Sequence, residues 1–126
     1  MPKLPFFTVD VFTDTRFGGN PLAVVMGGEA LDSATMQSVA AEFNLSETTF
    51  VLPASDHGNT ARIRIFNRTA EMPFAGHPMV GTAFVLAGQQ PHLDDASFEI
   101  PAGTVRVRIE RAADGKPTAA TIAAAS

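Results

Sequence analysis

The sequence predicts an α+β fold: a curled, mixed β-sheet, barrel-like, wrapped around a central apolar helix, with one amphipathic helix outside. Three observations lead there. Residues Met79 to Ala87 (MVGTAFVLA) are apolar nearly all round, and a helix with no polar face must be enclosed by other elements. Residues 32–43 place Met36, Val39, Ala40 and Phe43 at i, i+3, i+4 and i+7, one face of a second helix. The other patterned segments are short and rich in β-formers, enough for seven or eight strands.

Taken in order, Phe6 to Phe12 (FFTVDVF) reads as the first strand, with Phe7, Val9 and Val11 on one side. Asp14 to Asn20 carries turn chemistry, including two adjacent glycines. Pro21 to Met26 is a second strand, ended by Gly27 and Gly28. Asp32 or Ser33 caps the amphipathic helix by accepting a backbone N–H bond, and Asn44 is a suitable left-handed residue to stop it. Thr48 to Pro53 is a strand, and Ser55 to Asn59 a turn. Ala61 to Phe66 alternates, with Ala61, Ile63 and Ile65 inward and Arg62 and Arg64 outward, so one face of this strand is wet. Pro78, near the start of the apolar run, suits the first turn of a helix. Gln89 to Asp95 is a polar loop. Ser97 to Ile100 and Thr104 to Glu110 form a hairpin around Pro101–Gly103. Val105, Val107 and Ile109 face inward in the second of these strands. Asp114–Gly115 turns the chain into a last strand, Thr118 to Ala123.

Composition narrows the function classes. The 126 residues suit one domain, and 45% hydrophobic with 17% charged residues is a globular balance. Ten Phe, with no Trp or Tyr, supply the large aromatic mass of the core. Nine basic and thirteen acidic residues give a net charge of −4, which argues against a nucleic-acid partner because phosphate binding needs a basic footprint. There is no Cys, hence no disulfide, thiolate nucleophile or Cys-based metal site. Met1 to Phe7 lacks the apolar core of a signal peptide, and the longest apolar run is too short to span a bilayer. The expectation is a soluble cytoplasmic protein without a membrane partner.

Two segments can carry chemistry. In Asn44-Leu45-Ser46-Glu47-Thr48-Thr49-Phe50, Glu47 is expected on a short loop between a helix and a strand. Partial burial there would suit it to proton transfer, and the alternative is a solvated loop acid. In Glu71-Met72-Pro73-Phe74-Ala75-Gly76-His77-Pro78, Gly76 permits a close backbone approach or a positive φ. His77 is biased to extended geometry by Pro78. The helix start behind them leaves backbone N–H groups free for an anion such as a carboxylate. His77 can shuttle a proton or bind substrate; equally, it caps the helix and Gly76 makes a tight turn. His57 and His92 fall in polar loops, and three scattered His without helical spacing make a weak metal site.

The sequence resembles the PhzF-like (phenazine biosynthesis) family. The matching stretches are Asp10-Val11-Phe12, Gly19-Asn20-Pro21-Leu22-Ala23-Val24 and Asn44-Leu45-Ser46-Glu47-Thr48 with Phe50-Val51-Leu52-Pro53. They continue with Arg62-Ile63-Arg64-Ile65-Phe66, Glu71 through Pro78, and Gly81-Thr82-Ala83. They keep the family's order and spacing over nearly the whole chain.

The resemblance implies a diaminopimelate-epimerase-like fold, in which two similar domains enclose a cleft. It also implies a cofactor-independent isomerase that moves a proton on trans-2,3-dihydro-3-hydroxyanthranilate or a similar small carboxylate, using no metal. Glu47 and His77 take the catalytic positions, and Asn20, Ser46, Gly76 and Gly81 are the substrate-binding candidates. The cysteine pair of diaminopimelate epimerase itself is absent, which excludes two-base chemistry through thiols. Family members are about twice as long, so residues 1–126 correspond to a single domain, their N-terminal half. The cleft is then expected to be completed by a homodimer or by a missing C-terminal half. The alternative is a catalytically incomplete half that binds small carboxylates without turnover.

Overall fold

In the computed structural model, which describes residues 5–11, 20–43, 47–73 and 76–125, the chain forms eight strands and two α-helices. The strands are β1 (Phe6–Val11), β2 (Asn20–Val25), β3 (Glu47–Leu52), β4 (Ala61–Phe66), β5 (Glu71–Met72), β6 (Asp95–Ile100), β7 (Gly103–Arg111) and β8 (Pro117–Ala125). The helices are α1 (Ser33–Phe43) and α2 (Gly76–Gln89), with a single 3-10 turn at Gly28–Ala30. The turn expected at Asp14–Asn20, the helix stop at Asn44 and the candidate Ser46 lie largely or wholly outside the described residues.

One mixed sheet runs in the order β1-β2-β3-β4-β6-β7-β8, and β5 pairs with β4. Neighbours are antiparallel except β2 with β3 and β4 with β6. Those two parallel joins need crossovers, and α1 and α2 supply them. Both steps move the same way across the sheet, but β4 runs opposite to β3. Right-handed crossovers must therefore leave the two helices on opposite faces.

The packing follows that rule. On one face α1 buries Met36 and Ala40 against Val25, Phe50 and Phe66, with Val39 and Phe43 partly covered. The Phe50 and Phe66 rings meet edge to face at 5.5 Å. On the other face α2 sets Met79, Ala83, Leu86 and Ala87 against Leu22, Val24, Val51, Ile63, Ile65, Phe98 and Val107, among others. The alternation expected for β4 and β7 holds: Ile63, Ile65, Val105, Val107 and Ile109 are buried, and Arg62, Arg106 and Arg108 are exposed. The sheet curls far enough that α2 touches both edge strands, β1 and β8, as well as β2, β3 and β7. The result is a curled half-barrel. Cover over α2 is partial, since Val80, Phe84 and Val85 remain half-buried.

Local chemistry sets several boundaries. Asp32 caps α1, its Oδ1 accepting from the Thr35 N–H at 2.7 Å. Gly27 takes a left-handed conformation (φ 72°) to leave β2. The next residue, Gly28, is buried so closely that a Cβ there would lie 3.1 Å from the Cβ of Phe50. Helix α2 starts at Gly76, three residues before the apolar run that predicts it, because its first turn accommodates Pro78. The two-residue strand β5 has no sequence pattern and exists by pairing with Ile65 and Phe66.

Arg111 holds the far end of α2. Its side chain is 13% exposed and donates to the carbonyls of Ala87, Gln90, Leu93 and Gly115 at 2.6–3.3 Å. It thereby ties the helix C-terminus, with its unpaired carbonyls, to the β7–β8 hairpin. Replacing it removes the charged donor from the part-buried carbonyls of Ala87 and Leu93. Arg111→Ala is expected to lower stability by about 2–4 kcal/mol, on the scale of lost charge-assisted bonds. Lys should recover only part, because it lacks the guanidinium fork. Urea midpoints for the three proteins check this.

Candidate active site

Glu47 is the first residue of β3, not a loop residue. Strand alternation puts Glu47, Thr49 and Val51 on one face. Val51 belongs to the core that α2 covers, so this face is the α2 face. Across the sheet Glu47 is paired with Leu22, another residue of that core. Its side chain is half-buried, and Oε2 is fully covered. The solvated loop acid is therefore not what the fold builds. This carboxylate stands at the rim of an apolar interior.

The start of α2 comes to the same end of the sheet. Two markers give its direction. Gly76 lies beside β8, where an added Cβ would be 3.6 Å from Ile122 Cδ1, and Ile122 pairs with Val107. The other end meets Arg111, four residues further along β7. Helix α2 thus runs with β7, and β7 runs parallel to β3 through the intervening pairings. Val51 and Leu86 line one cavity of about 250 Å³ at the far end of this seam. From Val51 back to Glu47 is about 13 Å of strand, which equals about nine helix residues at about 1.5 Å each. Counted back from Leu86, that reaches His77.

The sequence candidates sort accordingly. Asn20 opens β2, two residues before the partner of Glu47, and so stands at the same end. Gly76 and His77 are the first two residues of α2. Their backbone N–H groups have no carbonyl one turn earlier to bond within the helix. Gly81 is buried one turn deeper. Two local readings change. His77 is helical, not extended, because Pro78 falls within the first turn, where the helix accepts it. Gly76 is helical rather than at positive φ, and its nearest described neighbour is at ordinary contact distance. The side chains of Asn20 and His77, and all of Ser46, lie outside the described residues. His57 and His92 are exposed. Among the described residues, no group of three or more His, Cys, Asp or Glu could hold a metal ion, and no helix is long and apolar enough to cross a membrane.

A second polar cluster occupies the opposite face. Ser33, Ser55, Arg62, Arg64, Glu71 and Glu99, with two apolar neighbours, line a groove of about 620 Å³. Its charges are largely consumed locally. Arg64 donates to both oxygens of Glu71 at 2.7 and 2.9 Å and to Ser33. The Arg64 bond holds the Glu71 carboxyl below its ordinary range. Glu99 accepts from Asn59 Nδ2 and from the N–H groups of Asp56 and Ser55, all at 2.8–2.9 Å. Sequence reasoning missed this anchor because the donors are 40 to 44 residues away along the chain. It also missed the buried hydroxyls of Thr48, Thr49 and Thr82, which the apolar patterns around them conceal.

The phenazine biosynthesis-like protein pattern (PhzC-PhzF) matches residues 9–124. The chain belongs to this family. A PhzF-family relative, the trans-2,3-dihydro-3-hydroxyanthranilate isomerase of Pseudomonas aeruginosa, is 43% identical over 117 residues, which are 93% of this chain and 41% of that protein. An uncharacterised isomerase of Mesorhizobium japonicum is 56% identical over 82 residues, 65% of this chain and 27% of the relative. A solved structure described as a predicted epimerase of P. aeruginosa superposes with a TM-score of 0.76 at 34% identity, covering 88% of this chain and 40% of that one. The chain thus spans well under half the length of these PhzF-family relatives.

The Glu99 anchor has a testable acid signature. Its three donors, Asn59 first and then the Asp56 and Ser55 N–H groups, lower its pKa from 4.5 to about 2. A carboxyl depressed in the folded state stabilises it above the unfolded pKa and loses that contribution as pH falls through the folded one. The amide signals of Ser55 and Asp56 should therefore titrate together with a midpoint near 2. The transition should vanish in Glu99→Gln. An NMR titration from pH 6 to 1.5 reads this directly, and a midpoint near 4.5 contradicts the anchor.

Proposed function

We propose that this chain forms one wall of a PhzF-like isomerase site. There, Glu47 moves a proton on a small carboxylated metabolite resembling a dihydro-hydroxyanthranilate, by cofactor-free general acid/base catalysis. One observation carries the reading. Glu47 is a half-buried carboxylate on the α2 face of the sheet, at the end where the first turn of α2 begins. A base and an anion-accepting helix terminus at one end of an apolar interior suit a substrate that is both acidic and weakly acidic at carbon. The isomerases among the relatives support the same class.

In this reading the substrate carboxylate is held by the N–H groups of Gly76 and His77. Glu47 takes a proton from one carbon, the electron pair shifts through the conjugated system, and the proton returns at another carbon. Atoms and charge balance without any further reactant. His77 is assigned to orient the substrate or relay the proton, and Asn20, Ser46 and Gly81 to shape the substrate side of the wall. We take residues 1–126 as a single domain equivalent to the N-terminal half of a two-domain PhzF-like protein. The facing wall then comes from a second copy in a homodimer or from further chain.

A second reading is a small-carboxylate binding module without turnover, since a helix terminus alone can hold a carboxylate. Solvent-proton exchange separates the two. In ²H₂O the protein is expected to introduce deuterium into trans-2,3-dihydro-3-hydroxyanthranilate. Glu47→Gln should reduce the rate at least about 100-fold, the usual scale for losing a general base, with an unchanged circular dichroism spectrum. Full exchange in the Gln variant removes Glu47 from the mechanism, and binding without exchange in the parent chain selects the second reading.

A further inference from the structure

The seam between β3 and α2 contains two hydroxyls that apolar packing does not explain. Thr49 and Thr82 are both 0% exposed, and neither Oγ1 has a hydrogen-bond partner among the described residues. Thr49 is flanked across the sheet by Val24 and Ile65, both part of the α2-facing core. Thr82 is spaced one helical turn from Met79 and from Leu86, which belong to the same core. Valine would fill either place without burying an unsatisfied hydroxyl, which is costly.

Their levels coincide. From Val51 back to Thr49 is about 6.6 Å of strand, or about four helix residues, and four residues back from Leu86 is Thr82. Glu47 is the next residue of β3 on this face, toward the end where α2 starts. Thr48 also buries its hydroxyl, but alternation places it with Phe50 on the α1 face.

We propose that Thr49 and Thr82 are positioning residues. Their hydroxyls, which make no direct bond, are joined through one shared water, and this polar tie sets the height of α2 along β3. The height in turn fixes the first turn of α2 relative to Glu47. Arg111 holds the far end of α2; between that end and Glu47 the apolar contacts are non-directional, whereas a water-bridged hydroxyl pair in low dielectric has one favoured register. The catalytic consequence rests on the function proposed above, but the tie itself does not.

The test uses the whole chain labelled with ¹³C-glutamate, with the Glu47 Cδ resonance identified as the one missing from Glu47→Gln. Thr49→Val and Thr82→Val should each displace that resonance and the His77 amide. The double variant should do no more than either single one, and Thr49→Ser should restore the parent position. An unmoved Glu47 resonance in both valine variants, or effects that simply add, overturns the tie. If the valine variants fail to fold, Thr49→Ser and Thr82→Ser decide. Folded serine variants support the hydroxyl tie, and unfolded ones show that the core needs the methyl instead. Retained proton exchange in Glu47→Gln would remove the catalytic reading and leave this result standing, so the two failures are distinguishable.

Discussion

Between Met79 and Ala87 the chain has no charged side chain and only one polar one, Thr82. A helix of that composition loses free energy on every side it shows to water, at about 25 cal/mol per Å² of apolar surface. The sheet answers by curling until its two edge strands, β1 and β8, both touch α2. The strands pay little for this, since their own inward residues are Val, Ile, Leu and Phe. What packing alone does not supply is a stop. Arg111 provides one at the far end by binding the Ala87 carbonyl in the last turn of the helix and the Gln90 and Leu93 carbonyls just beyond it.

Handedness turns that core into a site. Two parallel joins in an otherwise antiparallel sheet require two crossovers, and the reversal between β3 and β4 sends the helices to opposite faces. The amphipathic α1 covers the convex face, so α2 alone shares the concave face with Glu47. Because α2 runs with β3, its first turn opens at the end where β3 begins. Topology thus sets the carboxylate and the first turn of α2 toward one end of the sheet, although Glu47 and His77 are 30 residues apart in sequence. The family match spans most of the chain, residues 9–124.

Much of this was legible in the residues. Period two marked β4 and β7 clearly, because Arg alternates with Ile or Val there. Period 3.6 marked α1, and Asp32 marked its start. The apolar run marked α2 and Pro78 marked a residue of its first turn, where a proline removes an N–H that the helix leaves unbonded anyway, but Gly76 read as a tight turn and His77 as extended, so the start fell short of Gly76. Glu47 read as a loop acid because a charged residue weakens a strand signal. Its strand position comes from pairing with Leu22, which no local pattern encodes. For the same reason the Glu99 anchor was invisible, its donors lying far off in the chain, while β5 is two residues long and too short to show a period. Glu47, Gly76 and His77 were candidates by their chemistry, and the elements that carry them, β3 and the first turn of α2, came from the fold.

The central claim is that one end of the half-barrel, not the groove on the opposite face, receives a small carboxylate. The most direct measurement is a ¹H–¹⁵N NMR titration of the whole chain with anthranilate as probe. The account predicts that the amides of Gly76, His77 and Glu47 shift together with one saturation curve. Shifts confined to Arg62, Arg64 and Ser33, which line the other groove, would contradict it.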